Sequence, residues 1–264
     1  MFPPSRIVCI TEETVETLYL LGEQDRIVGI SGYVVRPVQA RREKPRVSAF
    51  TSANIGKILA QKPDLVLTFS DLQADIVADL IRRGLNVHAF NQRTVAGILE
   101  MMRMVGAMVD ASDRADQLVR SLESRLAEAR KHAERLNRRP RVFFEEWDDP
   151  LISGIGWVSE LVEIAGGIDI FADLGNRGAA KDRVVTAEEV VVREPDLIIG
   201  SWCGKKFRPE RVATRAGFDR IPAVRHEDLY EIKSSLILQP GPAALTDGLA
   251  ELQKIIGRWA TVAG

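Results

Sequence analysis

Cysteine and histidine are scarce in this chain: Cys9 and Cys203, with His88, His132 and His226, in 264 residues. Two distant cysteines make no disulfide framework, and neither stands in a Cys-x-x-Cys pair, so each reads as a thiol in or beside a strand. No His-x-x-x-His or mixed Cys/His spacing occurs, so no metal ion and no cofactor is expected. An excess of one charge is also missing. Lys and Arg number 36 against 37 Asp and Glu, a net charge of -1, which offers no basic field to a nucleic acid. No stretch approaches the ~20 consecutive apolar residues of a membrane span. The opening residues lack the charged, apolar and small-residue order of a secretory signal, so the chain is expected to be cytoplasmic if it is complete. Nor is there a Gly-x-Ser-x-Gly elbow, a P-loop or a Gly-x-Gly-x-x-Gly turn, and no enzyme chemistry is expected.

What is present is an internal repeat. One copy runs from Asn54 through Pro63 and Asp64 to Phe69, the other from Thr186 through Pro195 and Asp196 to Ser201. Each opens on a residue able to cap a helix and continues as a short apolar-periodic helix. Each then meets a proline that stops the helix, and ends in the continuous apolar run of a strand buried on both faces. A unit repeated once per half implies two related lobes. Strand-like runs at 6–10, 26–31, 47–50, 65–69 and 86–90 alternate with helical ones at 13–21, 73–83 and 94–109, the pattern of a mostly parallel sheet with helices on its faces. In the second half, strands are expected at 141–145, 196–201 and 229–232, and helices at 158–165 and 243–259. Between the halves, Ala115, Leu118, Val119, Leu122, Leu126, Ala129, Ala133 and Leu136 recur at threes and fours. This predicts one helix over 112–137, about 39 Å long at 1.5 Å per residue. The expected fold is therefore α/β: two Rossmann-like lobes, 1–111 and 139–264, joined by a single long helix at 112–138, with a ligand cleft between the lobes.

This organisation resembles the helical-backbone class of ABC-transporter solute-binding proteins, the third class of periplasmic binding proteins, and most nearly its cobalamin-binding members. The resemblance rests on Thr11, Glu12 and Glu13 after the first strand, on Val28 to Tyr33, and on Val47 to Phe50 before Asn54. Lys62 to Val66, Ser153-Gly154 ahead of a helix ending in Gly166-Gly167, and Glu194 to Leu197 complete it. It implies a monomer that binds a small ligand, a corrinoid such as cobalamin (vitamin B12), and hands it to an ABC transporter permease from the periplasm. Ferric siderophore or haem is the alternative ligand, and a corrinoid-processing or hydrolytic enzyme using cleft carboxylates is the alternative from another class. Members usually present a glutamate near the start of the repeated helix to arginines of the membrane partner. Glu188 matches in the second lobe, whereas the first lobe has Gly56 followed by Lys57.

Ligands of parallel α/β sheets bind beyond the carboxyl ends of the strands. That rule selects Glu13, Tyr33, Phe50, Thr51, Phe69 and Ser70 in the first lobe, and Glu146, Trp147, Trp202, Cys203, Lys233 and Ser234 in the second. Trp157, after Ser153-Gly154, either faces the cleft or staples its helix. Aromatics are only 6% of the chain, yet five of these positions are aromatic, as a flat, mostly apolar macrocycle edged with amides requires. Phe50 and Trp202 are expected on opposite walls. The acidic run Glu145, Glu146, Trp147, Asp148, Asp149 reads either as acceptors for the ligand or as a solvated loop. Lys205, Lys206 and Arg208 are the groups that would clasp an anionic chelate.

Overall fold

A computed structural model describes residues 2–262. Two compact units emerge, one of residues up to Gln92 with Ala96–Ser121, the other of Arg93–Val95 with residues from Leu122 onward. The first is built on β1 (Ile7–Cys9), β2 (Ile27–Ser31), β3 (Arg46–Ser48), β4 (Leu65–Phe69) and β5 (Val87–Phe90), in the order β3-β2-β1-β4-β5. All the pairings are parallel. Val8, Ile10, Val66, Val47, Ile58 and Leu80 pack as one buried cluster between this sheet and the helices Ile55–Ala60 and Ala74–Arg82. The inner strands β1, β2 and β4 are mostly apolar without alternation, as strands covered on both faces are, while the edge strands β3 and β5 are less buried.

The second unit holds β6 (Arg141–Asp148), β7 (Leu151–Ser153), β8 (Ile168–Asp169), β9 (Leu197–Gly200) and β10 (Leu229–Glu231). The order is β10-β9-β6-β7, and β8 also pairs with β6. β9 and β8 run parallel to β6, while β7 turns back antiparallel. The strand expected at 141–145 thus continues through the acidic run to Asp148, because Trp147 and Asp148 pair with Ile152 and Leu151 across a tight turn. The expected loop is a hairpin arm.

The repeat has a physical basis that sequence reading only half supplied. Asn54 and Thr186 do cap their helices, accepting from the N–H of Lys57 at 2.9 Å and of Glu189 at 3.2 Å. Glu189 returns the bond by accepting from the Thr186 N–H, a capping box. Each helix then ends three residues before the proline, and a residue of positive φ intervenes, Lys62 at 47° and Glu194 at 41°. The aspartate that follows accepts the backbone N–H that opens the unit's leading strand: Asp64 from Arg6 at 3.0 Å, Asp196 from Arg141 at 2.8 Å. Those two arginines reach back to carbonyls at the helix end, Arg6 to Gln61 and Lys62, Arg141 to Arg193. Pro-Asp therefore marks a stitch between neighbouring strands, made once in each unit.

The long helix runs over Ser112–Ala133, shorter than the expected 112–137. Its stripe, Ala115, Val119, Leu122, Leu126 and Ala129, is buried. Beyond Ala133 the bonds tighten: the N–H groups of Arg135 and Leu136 donate three residues back, to His132 and Ala133, which closes the helix in a narrower turn. The helix Val95–Met108 comes close beside its start. A Cβ at Gly106 would lie 2.3 Å from that of Ala115, so only glycine fits there. The C-terminal helix Leu249–Val262 follows a π-turn at Ala244–Gly248. Among the described residues no helix is long and apolar enough to cross a membrane.

Candidate functional site

In the first unit the chain leaves β1 outward to β2 and β3, then returns to β4 and β5. The switch point therefore lies between the carboxyl ends of β1 and β4. Gln73 organises it. Fully buried, it accepts the Phe69 N–H at 3.0 Å, and its amide donates to the carbonyls of Phe50 at 2.8 Å and Ile10 at 3.3 Å. Three of the five strand ends thus converge on one side chain. Ser70, at φ 65°, caps the turn that brings Gln73 round, accepting the Leu72 N–H. Tyr33 is 52% exposed, Phe50 half-buried and Thr51 exposed, whereas Phe69 turns its ring inward and is buried.

Two carboxyls sit in the first turn of the helix Glu12–Leu20, directly after β1. Glu13 is 1% exposed, and its Oε1 has no hydrogen-bond partner. Burial lifts its pKa to about 7, against the pull of a hydrogen bond from Thr11. Glu12 is lifted to about 8 by burial and by its neighbour Glu13. Beneath them the Cys9 thiol is pushed up to about 12, chiefly by burial, and is inert.

In the second unit the acidic run is consumed internally. Adjacent residues of a strand point to opposite faces, and Glu145 and Glu146 each hold an arginine. Glu145, fully buried, accepts from Arg215 at 2.6 and 2.8 Å and from the Trp202 indole N–H at 2.8 Å. Burial raises its pKa, and Arg215 and Trp202 draw it back. Glu146 accepts from Arg183 at 2.7 and 3.1 Å, and Arg183 is itself only 1% exposed. Asp148 pairs with Lys205 and, at 3.8 Å, with Arg211. Neither of the two expected roles, ligand acceptors or a solvated loop, describes this run; it fastens the segments around 183 and 202–215 to β6.

The remaining sequence-selected residues scatter. Trp202 is 3% exposed and lies in the core with Phe143, Phe207 and Phe218, so it is no wall of an open cleft. Its large apolar ring and its one donor are both satisfied inside. Trp157, 2% exposed, staples its helix by donating to the Ile237 carbonyl at 2.9 Å. Trp147 is half-buried, its N–H given to the Asp149 carbonyl. Cys203 is exposed; Lys233 is exposed at the start of the short helix Ser234–Ile237, with Ser234 half-buried. Glu188 is exposed in the first turn of the helix Ala187–Val192, and Gly56 and Lys57 are exposed at the matching place in the first unit. Sequence reasoning missed Gln73, Arg183 and Arg215. Nothing in their neighbourhoods sets them apart from solvated polar residues. Among the described residues, no group of three or more His, Cys, Asp or Glu side chains is placed to hold a metal ion.

Comparison with known proteins agrees with this architecture. Residues 7–236 match the family model described as periplasmic binding protein. The chain is 27% identical over 266 residues to YvrC of Bacillus subtilis (strain 168), an uncharacterized ABC transporter substrate-binding lipoprotein; the match covers 96% of this chain and 80% of that one. It is 25% identical over 247 residues to the vitamin B12-binding protein of Vibrio cholerae, covering 92% and 86% of the two chains. The periplasmic heme-binding protein RhuT from Roseiflexus sp. RS-1, in apo form, superposes with a TM-score of 0.81 over 96% of this chain and 99% of its own, at 21% identity. That last likeness is one of fold.

Proposed function

The chain belongs to the periplasmic binding protein family, and from that premise we propose that the solute it binds is a corrinoid, cobalamin or a close relative. As a solute-binding protein of ABC-transporter type it takes up a small ligand for delivery to a permease and carries out no reaction. Of the carboxylates that an enzyme could use, Glu145 and Glu146 are tied to arginines.

One observation carries the choice of ligand. The two residues after each strand of the first unit are Ile10 and Thr11, Gly32 and Tyr33, Ala49 and Phe50, Ser70 and Asp71, Asn91 and Gln92. None is cationic, and burial raises Glu12 to about 8 and Glu13 to about 7, which withholds part of their charge near neutral pH. Such a lining suits a neutral macrocycle edged with amides. An anionic ferric chelate, or the propionates of haem, calls for arginine or lysine. Of the cations put forward for an anionic ligand, Lys205 is paired with Asp148, while Lys206 and Arg208 are exposed, with Glu210 3.9 Å from Arg208, so the first unit and not these three carries the choice. The vitamin B12-binding relative supports the same choice.

Calorimetric titration decides it. Cyanocobalamin, and cobinamide which lacks the nucleotide tail, should each bind saturably at one per chain. Binding of hemin or a ferric siderophore with neither corrinoid bound would overturn the reading.

A further inference from the structure

The Nζ of Lys205 lies 4.0 Å from the centre of the Trp147 ring and 5.4 Å from that of Trp202, and the Asp148 carboxylate holds it there. Of the four tryptophans of the chain, Trp157, Trp202 and Trp259 are buried. Trp147 alone is half-exposed, and a lysine covers its face. The segment that carries the lysine is anchored at both ends and exposed at its tip. Trp202 and Phe207 are buried with their rings edge to face at 5.0 Å, while residues 203–206 between them are exposed. Gly204 turns the tip at φ 76°, with nothing within 4 Å of where a Cβ would sit. The Lys205 N–H reaches the Trp202 carbonyl only at a long 3.4 Å.

The two ends of the Lys205–Asp148 contact are unlike. Asp148 is held in place with its side chain 4% exposed, whereas that of Lys205 is 36% exposed. A cation over an indole at such an exposed place is a weak contact, the ion pair is open to salt on its lysine side, and the buried Asp148 keeps Arg211 at 3.8 Å when the lysine moves off. A flat ligand stacking on an indole needs the same ring face that the lysine occupies.

We propose that Lys205 is a displaceable cover on Trp147, whose place the flat face of the ligand takes on binding. This rests on the reading above, with Trp147 among the residues that receive the ligand. The cover lowers affinity by the fraction of molecules in which the indole is open. It also discriminates, because a solute that stacks weakly gains too little to displace the lysine. Affinity should therefore rise with salt, the reverse of a site in which lysine attracts an anionic ligand.

The test titrates cyanocobalamin into wild type, Lys205→Ala, Lys205→Arg and Trp147→Ala at about 0.02 M and about 0.5 M sodium chloride. Lys205→Ala should bind about threefold to tenfold tighter than wild type at low salt and lose the salt dependence, and Lys205→Arg should behave as wild type. Without ligand, acrylamide should quench the fluorescence of Lys205→Ala more than that of wild type, because the one accessible indole is uncovered. Weaker or unchanged binding by Lys205→Ala would overturn the proposal, the first by making the lysine a ligand contact. Equal binding by Trp147→Ala and wild type would overturn it too, while leaving the corrinoid reading in place. Should wild type not bind cyanocobalamin, that reading fails, and the same comparison made with hemin decides the cover.

Discussion

Arg215 closes a two-pronged hydrogen bond on Glu145, at 2.6 and 2.8 Å, with the carboxylate fully buried and the guanidinium mostly so. A planar fork matched to a carboxylate is the geometry in which a buried pair holds. Removing one partner strands the other. Arg215→Met should destabilise the protein by about 3–5 kcal/mol in chemical denaturation. The double variant Arg215→Met with Glu145→Gln should recover a good part of that loss, since no uncompensated charge remains. Additive losses would mean that the pair is not coupled.

The same carboxylate binds the indole of Trp202, so this tryptophan belongs to the stability of the second unit. Trp202→Ala should lower stability by about 3–5 kcal/mol, as large-to-small core changes do. Trp202→Phe, which keeps most of the volume and gives up the hydrogen bond, should lose about 1–2 kcal/mol. Thermal and urea melts of the two variants would show the order; a pair of unchanged melts would return Trp202 to the surface.

Glu12 and Glu13 give stability a pH dependence whose sign is fixed. Their ordinary value is 4.5, and the fold raises them to about 8 and about 7. Between these limits the folded state keeps protons that the unfolded chain releases. Their contribution is therefore whole below about pH 4.5, falls as pH rises through 7 and 8, and changes no further above that. Denaturation series from pH ~5 to ~8 should show stability declining, by a few kcal/mol at most. Glu13→Gln should flatten the decline and be the more stable protein at the alkaline end.

Tyr33 and Phe50 face outward far enough to be touched, and Phe69 does not. Tyr33→Ala and Phe50→Ala should each weaken corrinoid binding by roughly 1–3 kcal/mol, with melting nearly unchanged. Phe69→Ala should do the opposite, losing stability first. Titration beside thermal melting of the three variants separates the roles.

Glu188 protrudes from a helix already capped by Thr186 and Glu189. Glu188→Lys should leave the melt within about 0.5 kcal/mol of wild type, as surface changes away from such features do. It should leave corrinoid titration unchanged and impair uptake by cells that depend on this protein. Normal uptake would remove Glu188 from the docking surface.

Much of the fold was legible because it is written in local signals. The caps at Asn54 and Thr186 and the apolar runs after Pro63 and Pro195 formed as the sequence implied, although each helix ends three residues before its proline. The short second-unit pieces, β7, β8 and the one-turn helices Ala172–Gly175, Pro209–Ala213 and Pro222–Arg225, escaped notice. Two to five residues carry too little periodicity to declare themselves. The candidate site was harder to read. Sequence places an aromatic residue at a strand end, but only packing decides whether its ring turns in, as in Phe69 and Trp202, or out, as in Tyr33. The acidic run misled for a related reason. Its partners, Arg183 and Arg215, lie 37 and 70 residues away and look like any solvated arginine until the chain folds.

The division between the two units falls inside the helix Ser112–Ala133, between Ser121 and Leu122. A helix is a cooperative ladder, in which each bond spans four residues and a new break must pay for a fresh nucleus. Opening of either unit therefore propagates into hydrogen bonds that the other unit relies on. Amide exchange along this one helix should then show one opening energy across its middle, with no step between Ser121 and Leu122. The stretch that links the halves in sequence is then also what couples their unfolding, so that a weakening substitution in one unit is felt as lost protection in the other.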